Sequence, residues 1–418
     1  MTSSSACPCP ICKNTDNNLV LDERPKIPSL QNVALPTRAE ALAFPQGAIS
    51  MIRCASCSFV WNAAFDPAKI SYDETYNNDV TSSAYYLTHS DAMADRVIAS
   101  VPEDTDIHYV EIGCGEGDFL NLVHKRAAGR VKSATGFDPS FSGEDKLPEG
   151  AKVYRNFFSP DNTDQIPAEA NVVCSRHTIE HVADVQNFAT ALAAAMAPGR
   201  TMFIETPDAN WILEHTAFQD FFYEHCSIYT PDSIRLLLAQ QGLECDVEPV
   251  YDGQYMWISA RLSEAPVHAK PVASSGKLGL SYLKNKCRMM EEWTTYFEDR
   301  RAIAPVALWG GGSKGVTFSV LFNSAEDAPI DCVVDLNVAK QGCFMPVSGT
   351  MIVSPETAKS RGVGTVIIMN PNYEDEIRQE IQKMGWAAEI RVLNGQSDLW
   401  LPAPYFAAPN FVYGGAVL

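Results

Sequence analysis

Apolar runs alternate with amphipathic, helix-like segments between residues 108 and about 262. This alternation is typical of a parallel β-sheet with helices on its faces. The predicted strands are HYVEIG, SATGFD, AKVYRN, ANVVCS and TMFIET, followed by a hairpin-like pair around CDVEPV and MWISAR. A shorter alternation follows, with predicted strands in APVALW, DCVVDLN, GTMIVS and GTVIIMN. The pattern therefore predicts an α/β protein with two parallel-sheet units.

A glycine turn, GCGEG, follows the first predicted strand of the larger unit and opens a helix. Gly113, Gly115 and Gly117 remove side chains that would block a ligand, and glycine adopts such turns freely. The helix behind the turn directs free N–H groups and its positive dipole end at the ligand. Glu111 precedes the first glycine by two residues, and this E-x-G-x-G form resembles motif I of class I S-adenosylmethionine (SAM) methyltransferases. A purely structural turn is the alternative.

Other candidates for binding this cofactor follow the next predicted strands. Asp138 ends the second strand, where doubly wound folds place an acid on ribose hydroxyls. Phe157 and Phe158, after the third strand, are candidates either for flanking an adenine ring or for the core. Ser175 ends the fourth strand. Because the carboxyl ends of parallel strands form the ligand-binding edge of such a sheet, we expect these residues near the cofactor.

Five of the 12 cysteines lie in the first 57 residues. Cys9 with Cys12, and Cys54 with Cys57, form two C-x-x-C pairs, each of which can offer two thiolates to a tetrahedral Zn²⁺. Cys7 competes with Cys9 as a ligand in this interpretation. Four protein thiolates leave no open position for a substrate, so the predicted zinc site is structural.

Composition changes divide the chain into four predicted segments: a zinc-binding module (1–65), a helical connector (66–100), a SAM-binding domain (101–265) and a C-terminal Rossmann-like domain (266–418). The 32 basic and 51 acidic residues give a formal net charge of −19, which disfavours nonspecific binding to nucleic acid polymers or anionic membranes. The sequence shows neither a signal-peptide pattern nor a run of about 18 apolar residues. We expect a soluble, cytoplasmic protein that is a monomer or a weak oligomer.

Histidines cluster after the fourth and fifth predicted strands. His181 lies four residues after His177, and FFYEHC places Glu224 directly before His225. Histidine changes its charge near neutral pH, and a neighbouring carboxylate raises its basicity. These residues are therefore candidates for catalysis, with a purely structural role as the alternative.

A second glycine turn, WGGGSKG, follows the first strand of the C-terminal unit. Gly311, Gly312 and Lys314 lie at this turn, which lacks the spacing of a Walker loop. A turn rich in N–H groups with one lysine suits an anion such as a pyrophosphate. We therefore expect these residues to bind part of a substrate.

The order of these parts resembles the nucleotide-sugar C-methyltransferases, typified by enzymes that methylate C3 of dTDP-4-keto-deoxysugars. The resemblance runs over nearly the whole chain, and its most specific pieces are RCASC, EIGCGEGDFL, EH at 224 and 225, WGGGSKG and VVDLNVAKQGCFMPVSGTMI. It implies SAM as the cofactor and a nucleotide-linked ketosugar as the small-molecule substrate. The substrate is expected between the two α/β units, near the second glycine turn.

The resemblance also implies roles for individual residues. His225 is the candidate base that removes the proton from the carbon beside the ketone, and Glu224 is its orienting partner. Tyr76 and His181 are expected to line the substrate pocket and to stabilise the oxygen of the resulting enolate.

One departure from the family affects the substrate. Relatives carry Y-x-E-H, whereas this chain has Phe222 followed by Tyr223, so these two residues are candidate substrate contacts. Either Tyr223 supplies the missing hydroxyl, or the acceptor is a different ketosugar or a nonsugar carbon acid. The competing functions are a SAM-dependent O- or N-methyltransferase acting on another sugar or natural product, and a noncatalytic binding protein that contains SAM and zinc.

Overall fold

The computed structural model describes residues 4–70, 83–144, 147–265, 267, 270–271, 276–300, 303–323 and 328–393. The strands are β1 (Ser4–Ser5), β2 (Asn18–Pro28), β3 (Gln46–Arg53), β4 (Val60–Asn62), β5 (Ile107–Ile112), β6 (Val131–Phe137), β7 (Ala151–Tyr154), β8 (Val172–Arg176), β9 (Thr201–Pro207), β10 (Ser227–Ile228), β11 (Leu243–Val250), β12 (Tyr255–Leu262), β13 (Val306–Trp309), β14 (Ile330–Val334), β15 (Met351–Val353), β16 (Thr365–Ile368) and β17 (Glu389–Val392). The α-helices are α1 (Arg38–Leu42), α2 (Ala84–Ala99), α3 (Asp118–Arg126), α4 (Val185–Ala194), α5 (Ala209–Glu214), α6 (Pro231–Gln240), α7 (Lys277–Arg300), α8 (Ser313–Phe322), α9 (Pro355–Ser360) and α10 (Glu374–Lys383). No helix in these ranges is both long and apolar enough to cross a membrane.

The central sheet has the strand order β11-β12-β9-β8-β5-β6-β7. Strands β5 to β9 pair in parallel, and β11 and β12 form an antiparallel hairpin beside β9. These are the seven strands that the apolar runs predict. The inner strands β5 and β8 are rich in apolar residues and are buried along almost their whole length, as is usual in parallel sheets. The predicted Rossmann-like core is confirmed.

The C-terminal sheet is parallel throughout, in the order β15-β14-β13-β16-β17. The four predicted strands are present, and β17 is an additional one. Glu389 and Arg391 interrupt the apolar pattern of β17, because this short edge strand is only partly buried. The long helix α7 packs Trp293 and Phe297 into a core shared with α8. The predicted parallel-sheet C-terminal unit is thus confirmed.

The N-terminal sheet is antiparallel, in the order β1-β2-β3-β4-β10. The sequence analysis did not predict β2 or β3, because register shifts in their pairing break the regular alternation of apolar residues. The short strand β10 begins two residues after His225 and pairs with β4. The loop that carries the candidate base is therefore fixed to the N-terminal sheet.

A buried charge cluster makes a second connection between this sheet and the same loop. Arg24 on β2 donates hydrogen bonds to the carbonyl oxygens of Phe218 (2.6 Å) and Phe221 (3.0 Å). It also donates to the Asp22 carboxylate at 2.6 Å, which in turn contacts Lys286 of α7. Burial of these charges is tolerated because each is paired and hydrogen-bonded.

Candidate active site

A cavity of about 490 Å³ is lined by residues from both α/β units. The central unit contributes His177, Glu180, His181 and His225. The C-terminal unit contributes the glycine turn 310–315 and several residues of α10. The cavity therefore brings together the two groups of residues that the sequence assigned to catalysis and to substrate binding.

The glycine turn after β5 has the conformation that its sequence predicts. Gly113, Gly115 and Gly117 have φ angles of +75°, +51° and +82°, which other residues rarely adopt. A Cβ atom on Gly113 would lie 2.0 Å from Oγ1 of Thr178, whereas one on Gly115 would meet no atom within 4 Å. The N–H of Gly115 donates to Oδ2 of Asp138 at 2.9 Å. The turn is thus an open cradle beside the predicted ribose-binding acid, which fits an adenosyl cofactor.

Glu111 lies at the end of β5, directly before this turn, and is buried. The hydroxyl of Tyr109 donates to Oε2 of Glu111 at 3.1 Å. Burial raises the pKa of Glu111 to about 8, although the positive charge of Arg176 lowers it. Arg176 itself is paired with Glu205 at 2.5 Å and lies over the ring of Phe119. A buried, hydrogen-bonded network therefore supports the floor of the cradle.

The other predicted cofactor residues have contrasting environments. Phe158 is buried, with its ring 5.0 Å from that of Phe137, whereas Phe157 is 69% exposed. Ser175 is buried on β8, and its hydroxyl makes no hydrogen bond within the described part of the chain. Of the two phenylalanines, Phe157 therefore has the free ring face that stacking on an adenine requires.

The candidate base His225 faces a second histidine. The rings of His225 and His181 have centroids 4.7 Å apart and are nearly perpendicular, and the ring of Phe222 lies 4.0 Å from that of His225. Burial lowers the pKa of His225 well below its usual value, and the charges of His181, His177 and Lys314 lower it further. A neutral imidazole has a free lone pair, so His225 is in the form that accepts a proton.

Glu224 is fully buried and contacts the N-terminal module. Its Oε1 accepts a hydrogen bond from the backbone N–H of Gln31 at 2.8 Å, and its Oε2 lies 3.7 Å from Nδ1 of His181. Glu224 is thus placed beside the other histidine of the pair, and its role as the orienting partner of His225 stays a prediction. Tyr76 lies outside the described residues.

Phe222 and Tyr223 point to different environments. Phe222 lines the cavity, whereas Tyr223 is not among the described residues that do so. The Tyr223 hydroxyl accepts from the backbone N–H of Asp66 at 2.8 Å and donates to its carbonyl oxygen at 3.0 Å. In this arrangement the Tyr223 hydroxyl anchors the segment at Asp66, and an apolar ring occupies the position beside His225.

Glu180 is a cavity residue that the sequence analysis did not single out. It is fully buried, and its Oε2 accepts a hydrogen bond from Oγ1 of Thr206 at 3.1 Å. Its Oε1 lies 3.4 Å from Nδ1 of His177, which has a left-handed backbone with φ of +49°. The sequence feature that could have identified Glu180 is its place in HTIEH, between the two histidines that the sequence analysis considered.

The second glycine turn repeats the hydrogen bond of the first. The N–H of Gly311 donates to Oδ2 of Asp335 at 2.9 Å, and a Cβ atom on Gly311 would lie 2.7 Å from that oxygen. Gly312 precedes the first turn of α8. The ammonium of Lys314 lies 2.6 Å from Oδ2 of Asp220, another cavity residue that the sequence analysis did not single out. The turn therefore presents N–H groups and a paired lysine to the cavity.

Comparisons with known proteins agree with this arrangement. A family model described as a methyltransferase domain matches residues 86–248, and one described as a C-methyltransferase C-terminal domain matches residues 287–391. The C-methyltransferase NovU from Streptomyces niveus is 24% identical over 331 residues, covering 72% of this chain and 75% of NovU. The chain is therefore a SAM-dependent methyltransferase whose C-terminal unit matches a C-methyltransferase domain.

Solved structures match only part of this methyltransferase. A SAM-dependent methyltransferase from Mesorhizobium loti is 17% identical, with a TM-score of 0.32, and the match covers 41% of this chain and 99% of that chain. A DhpI–SAH complex is 16% identical, with a TM-score of 0.33, over 44% of this chain and 91% of that chain. Scores this low carry no argument about function.

The four cysteines predicted to bind zinc in this methyltransferase lie together. The sulfur atoms of Cys9 and Cys57, and those of Cys12 and Cys54, are 3.5 Å apart, and all four lie within 4.8 Å of one another. Zn–S bonds of about 2.3 Å place tetrahedral sulfurs about 3.8 Å apart. The thiols of Cys57 and Cys9 lower the pKa of Cys54, which favours its thiolate. Cys9, and not Cys7, belongs to this cluster, which is compatible with zinc.

Proposed function

We propose that this methyltransferase methylates a carbon beside the ketone of a nucleotide-linked sugar, with His225 as the base. The observation that carries the proposal is the shared cavity, in which His225 and the turn containing Lys314 line one space. Its volume of about 490 Å³ lies within the range of pockets for small-molecule ligands. A substrate with a carbon acid at one end and a diphosphate at the other fits this distribution of groups.

The cradle of Gly113, Gly115 and Gly117, together with Asp138, would hold SAM. When bound, SAM supplies a methyl group that is already activated on a positively charged sulfur. The chain's own task is therefore to position the acceptor carbon and to remove its proton.

His225 removes that proton in the proposed mechanism. The neighbouring ketone acidifies the carbon, and the electron pair left behind delocalises onto the ketone oxygen. His181, with its ring 4.7 Å from that of His225, is proposed to stabilise the negative charge on this oxygen. Tyr76 is proposed to share this role, and Glu224 is proposed to orient the histidine pair from its buried position.

The nucleotide end of the acceptor is proposed to bind the second glycine turn. The N–H of Gly312 and the ammonium of Lys314 suit a diphosphate, while the N–H of Gly311 holds the Asp335 carboxylate at the turn. Phe222 would contact the sugar near the reacting carbon. Tyr223 would reach the acceptor only after its hydroxyl had released Asp66. We therefore expect Tyr223 to stabilise the segment that carries Phe222, without contacting the acceptor itself.

We also propose that Cys9, Cys12, Cys54 and Cys57 hold one structural Zn²⁺. Metal analysis after mild purification is expected to give about one equivalent, and less than about half an equivalent would contradict this assignment. None of the 12 cysteines of the chain forms a disulfide in the structure, which supports a reducing, cytoplasmic location.

Isotope exchange tests the base without requiring methyl transfer. The enzyme is incubated in D₂O with a nucleoside diphosphate 4-ketosugar and the demethylated form of SAM, and mass spectrometry follows deuterium entering the carbon beside the ketone. We expect His225→Asn to reduce both exchange and methyl transfer by about 100-fold or more, which is the usual contribution of a general base. The affinity for SAM, measured by calorimetry, should stay unchanged.

His124→Asn, on the last turn of α3, is the matched control and should retain full exchange. Near-normal exchange in His225→Asn would show that another group removes the proton. Failure of the wild type to exchange any nucleotide-linked ketosugar would exclude this substrate class while leaving C-methylation intact.

A further inference from the structure

Three side chains in the cavity have the composition of a metal site. Glu180, His181 and His225 each offer one ligand atom, and these atoms all lie within 4.8 Å of one another. Two imidazole nitrogens and one carboxylate oxygen are a donor set that catalytic zinc sites use. The group is separate from the four-cysteine cluster, which binds through sulfur alone.

The carboxylate of this group has an oxygen available for a cation. Glu180 is fully buried, and its Oε1 accepts no hydrogen bond within the described part of the chain. A buried carboxylate oxygen without a donor costs free energy, which a bound cation would offset. Among the described residues, Nδ1 of His177 lies 3.4 Å from Oε1 of Glu180 and is its ion-pair partner. The unsatisfied oxygen is thus an independent indication of a positively charged ligand.

The surroundings of Glu180 resemble the outer shell of a metal site. Its second oxygen accepts a hydrogen bond from Thr206, which fixes the orientation of the carboxylate. Zn–N bonds of about 2.0 Å place tetrahedral ligand atoms about 3.3 Å apart, so side-chain shifts of about 1 Å would close the site. Three protein ligands leave a fourth position open towards the cavity.

We propose that Glu180, His181 and His225 bind a divalent ion of zinc-like chemistry, and that this ion and the acceptor exclude one another. The binding half of the proposal stands on the geometry of the three ligands. The exclusion half rests on the proposed function, in which His225 is the base. A neutral imidazole has only one free lone pair. If the His225 lone pair is donated to a metal, it cannot take a proton from carbon.

The binding half is tested by calorimetric titration of Zn²⁺ into full-length protein whose cysteine cluster is already loaded. We expect one further equivalent to bind. Glu180→Gln keeps the shape of the side chain and removes its charge, and it should weaken this second equivalent by about 100-fold. His181→Ala, at a partly exposed position, should do the same if Glu180→Gln does not fold. His124→Asn is the control and should bind as the wild type does.

The same titration with Co²⁺ identifies the ligands by absorption. Nitrogen and oxygen ligands give visible d–d bands without the near-ultraviolet thiolate charge-transfer bands that cysteine ligands produce. Absence of a second equivalent, thiolate bands for that equivalent, or unchanged binding in both Glu180→Gln and His181→Ala would overturn the proposed site.

The exclusion half is tested by deuterium exchange at increasing Zn²⁺. We expect the ion to raise the apparent KM for the ketosugar without lowering the limiting rate, and a mild chelator should reverse the effect. Exchange that is unaffected when the second equivalent is bound would overturn the exclusion. If His225 proves not to be the base, the proposed function fails, but the calorimetric and Co²⁺ results still support or overturn the metal site on their own.

Discussion

The two glycine turns of this protein share one hydrogen-bonding arrangement. In each, a glycine N–H donates to Oδ2 of an aspartate on the neighbouring strand end, at 2.9 Å for both Gly115 with Asp138 and Gly311 with Asp335. In each, the N–H two residues after the aspartate donates to its other oxygen, at 2.9 and 2.8 Å. The same hydrogen-bonding arrangement of the backbone therefore occurs at the carboxyl ends of the strands in both parallel sheets.

The turns differ in the charges around them. Glu116 and Asp118 lie within and beside the first turn, which suits a positively charged cofactor. The second turn carries Lys314, and Lys340 also lines its cavity, together with the carboxylates of Asp220 and Asp335. Glycine and aspartate therefore give the two turns the same hydrogen-bonding geometry, whereas the charged side chains around them differ, and the proposal that these side chains select different ligands is tested below.

Replacing each aspartate with alanine, one at a time, is expected to give the largest changes in ligand binding. Asp138→Ala should weaken SAM binding by about 10- to 100-fold, because hydrogen bonds to a charged group contribute about 1.5–3 kcal/mol. Asp335→Ala should leave SAM binding unchanged and reduce kcat/KM for the nucleotide-linked acceptor by a similar factor. Calorimetry with SAM and steady-state kinetics with the acceptor measure the two effects separately.

Each variant is the control for the other, since both remove the same side chain from the same kind of turn. If Asp335→Ala weakened SAM binding, or if Asp138→Ala acted only on the acceptor, the assignment of one ligand to each turn would be wrong. Equal losses of both ligands would instead indicate that the variants act through the fold.

Regular patterns made most of the fold predictable. The sequence predicted all strands of the central sheet and four of the five in the C-terminal sheet from their apolar residues. This signal is strongest in the inner parallel strands, because both of their faces are buried. The same reasoning placed the glycine turn beside Asp138, since parallel strands end at one edge of the sheet. These features depend on residues that are close in sequence or repeat with a fixed period.

Contacts between distant segments could not be predicted in this way. The bond from Gln31 to Glu224 joins residues 193 positions apart, and the bonds from Arg24 to the carbonyls of Phe218 and Phe221 are similarly long-range. No periodic pattern encodes such pairings. The cavity group of Glu180, His181 and His225 also depends on two loops meeting, so the sequence suggested the two histidines only separately and did not suggest Glu180.

Changing the lysine of the second turn is expected to give an intermediate effect. Lys314→Gln removes the positive charge while keeping most of the length of the side chain, and we expect KM for the acceptor to rise about 10-fold. The effect is limited because Lys314 is already paired with Asp220 at 2.6 Å. Binding of SAM should not change, and high salt should weaken acceptor binding less in the variant than in the wild type.

Kinetics at two ionic strengths measure this difference. An unchanged KM would show that the charge of Lys314 does not contact the acceptor, and it would leave the backbone N–H groups as the anion-binding part of the turn. A loss of SAM affinity would contradict the separation of the two sites.

The smallest expected effect is on the free energy of unfolding at mildly acidic pH, and it links the second turn to His225, the proposed base. The pKa of His225 in the folded protein lies below its ordinary value of 6.5, because of burial and the charges of His181, His177 and Lys314. Below pH 6.5 the unfolded chain therefore binds a proton that the folded protein does not. The free energy of unfolding should fall as the pH decreases from 6.5 towards the folded-state pKa, by at most about 1.4 kcal/mol per pH unit from this residue.

Urea unfolding of the wild type and two variants at pH 7.0 and 5.5 measures this dependence. His225→Gln should lose the least stability between the two pH values, because it has no imidazole to protonate. Lys314→Gln should fall between this variant and the wild type, since removing one positive neighbour lets the folded-state pKa of His225 rise. Equal losses in all three proteins would show that the second turn exerts no electrostatic influence on His225, and the charge difference between the turns would then act on ligands alone.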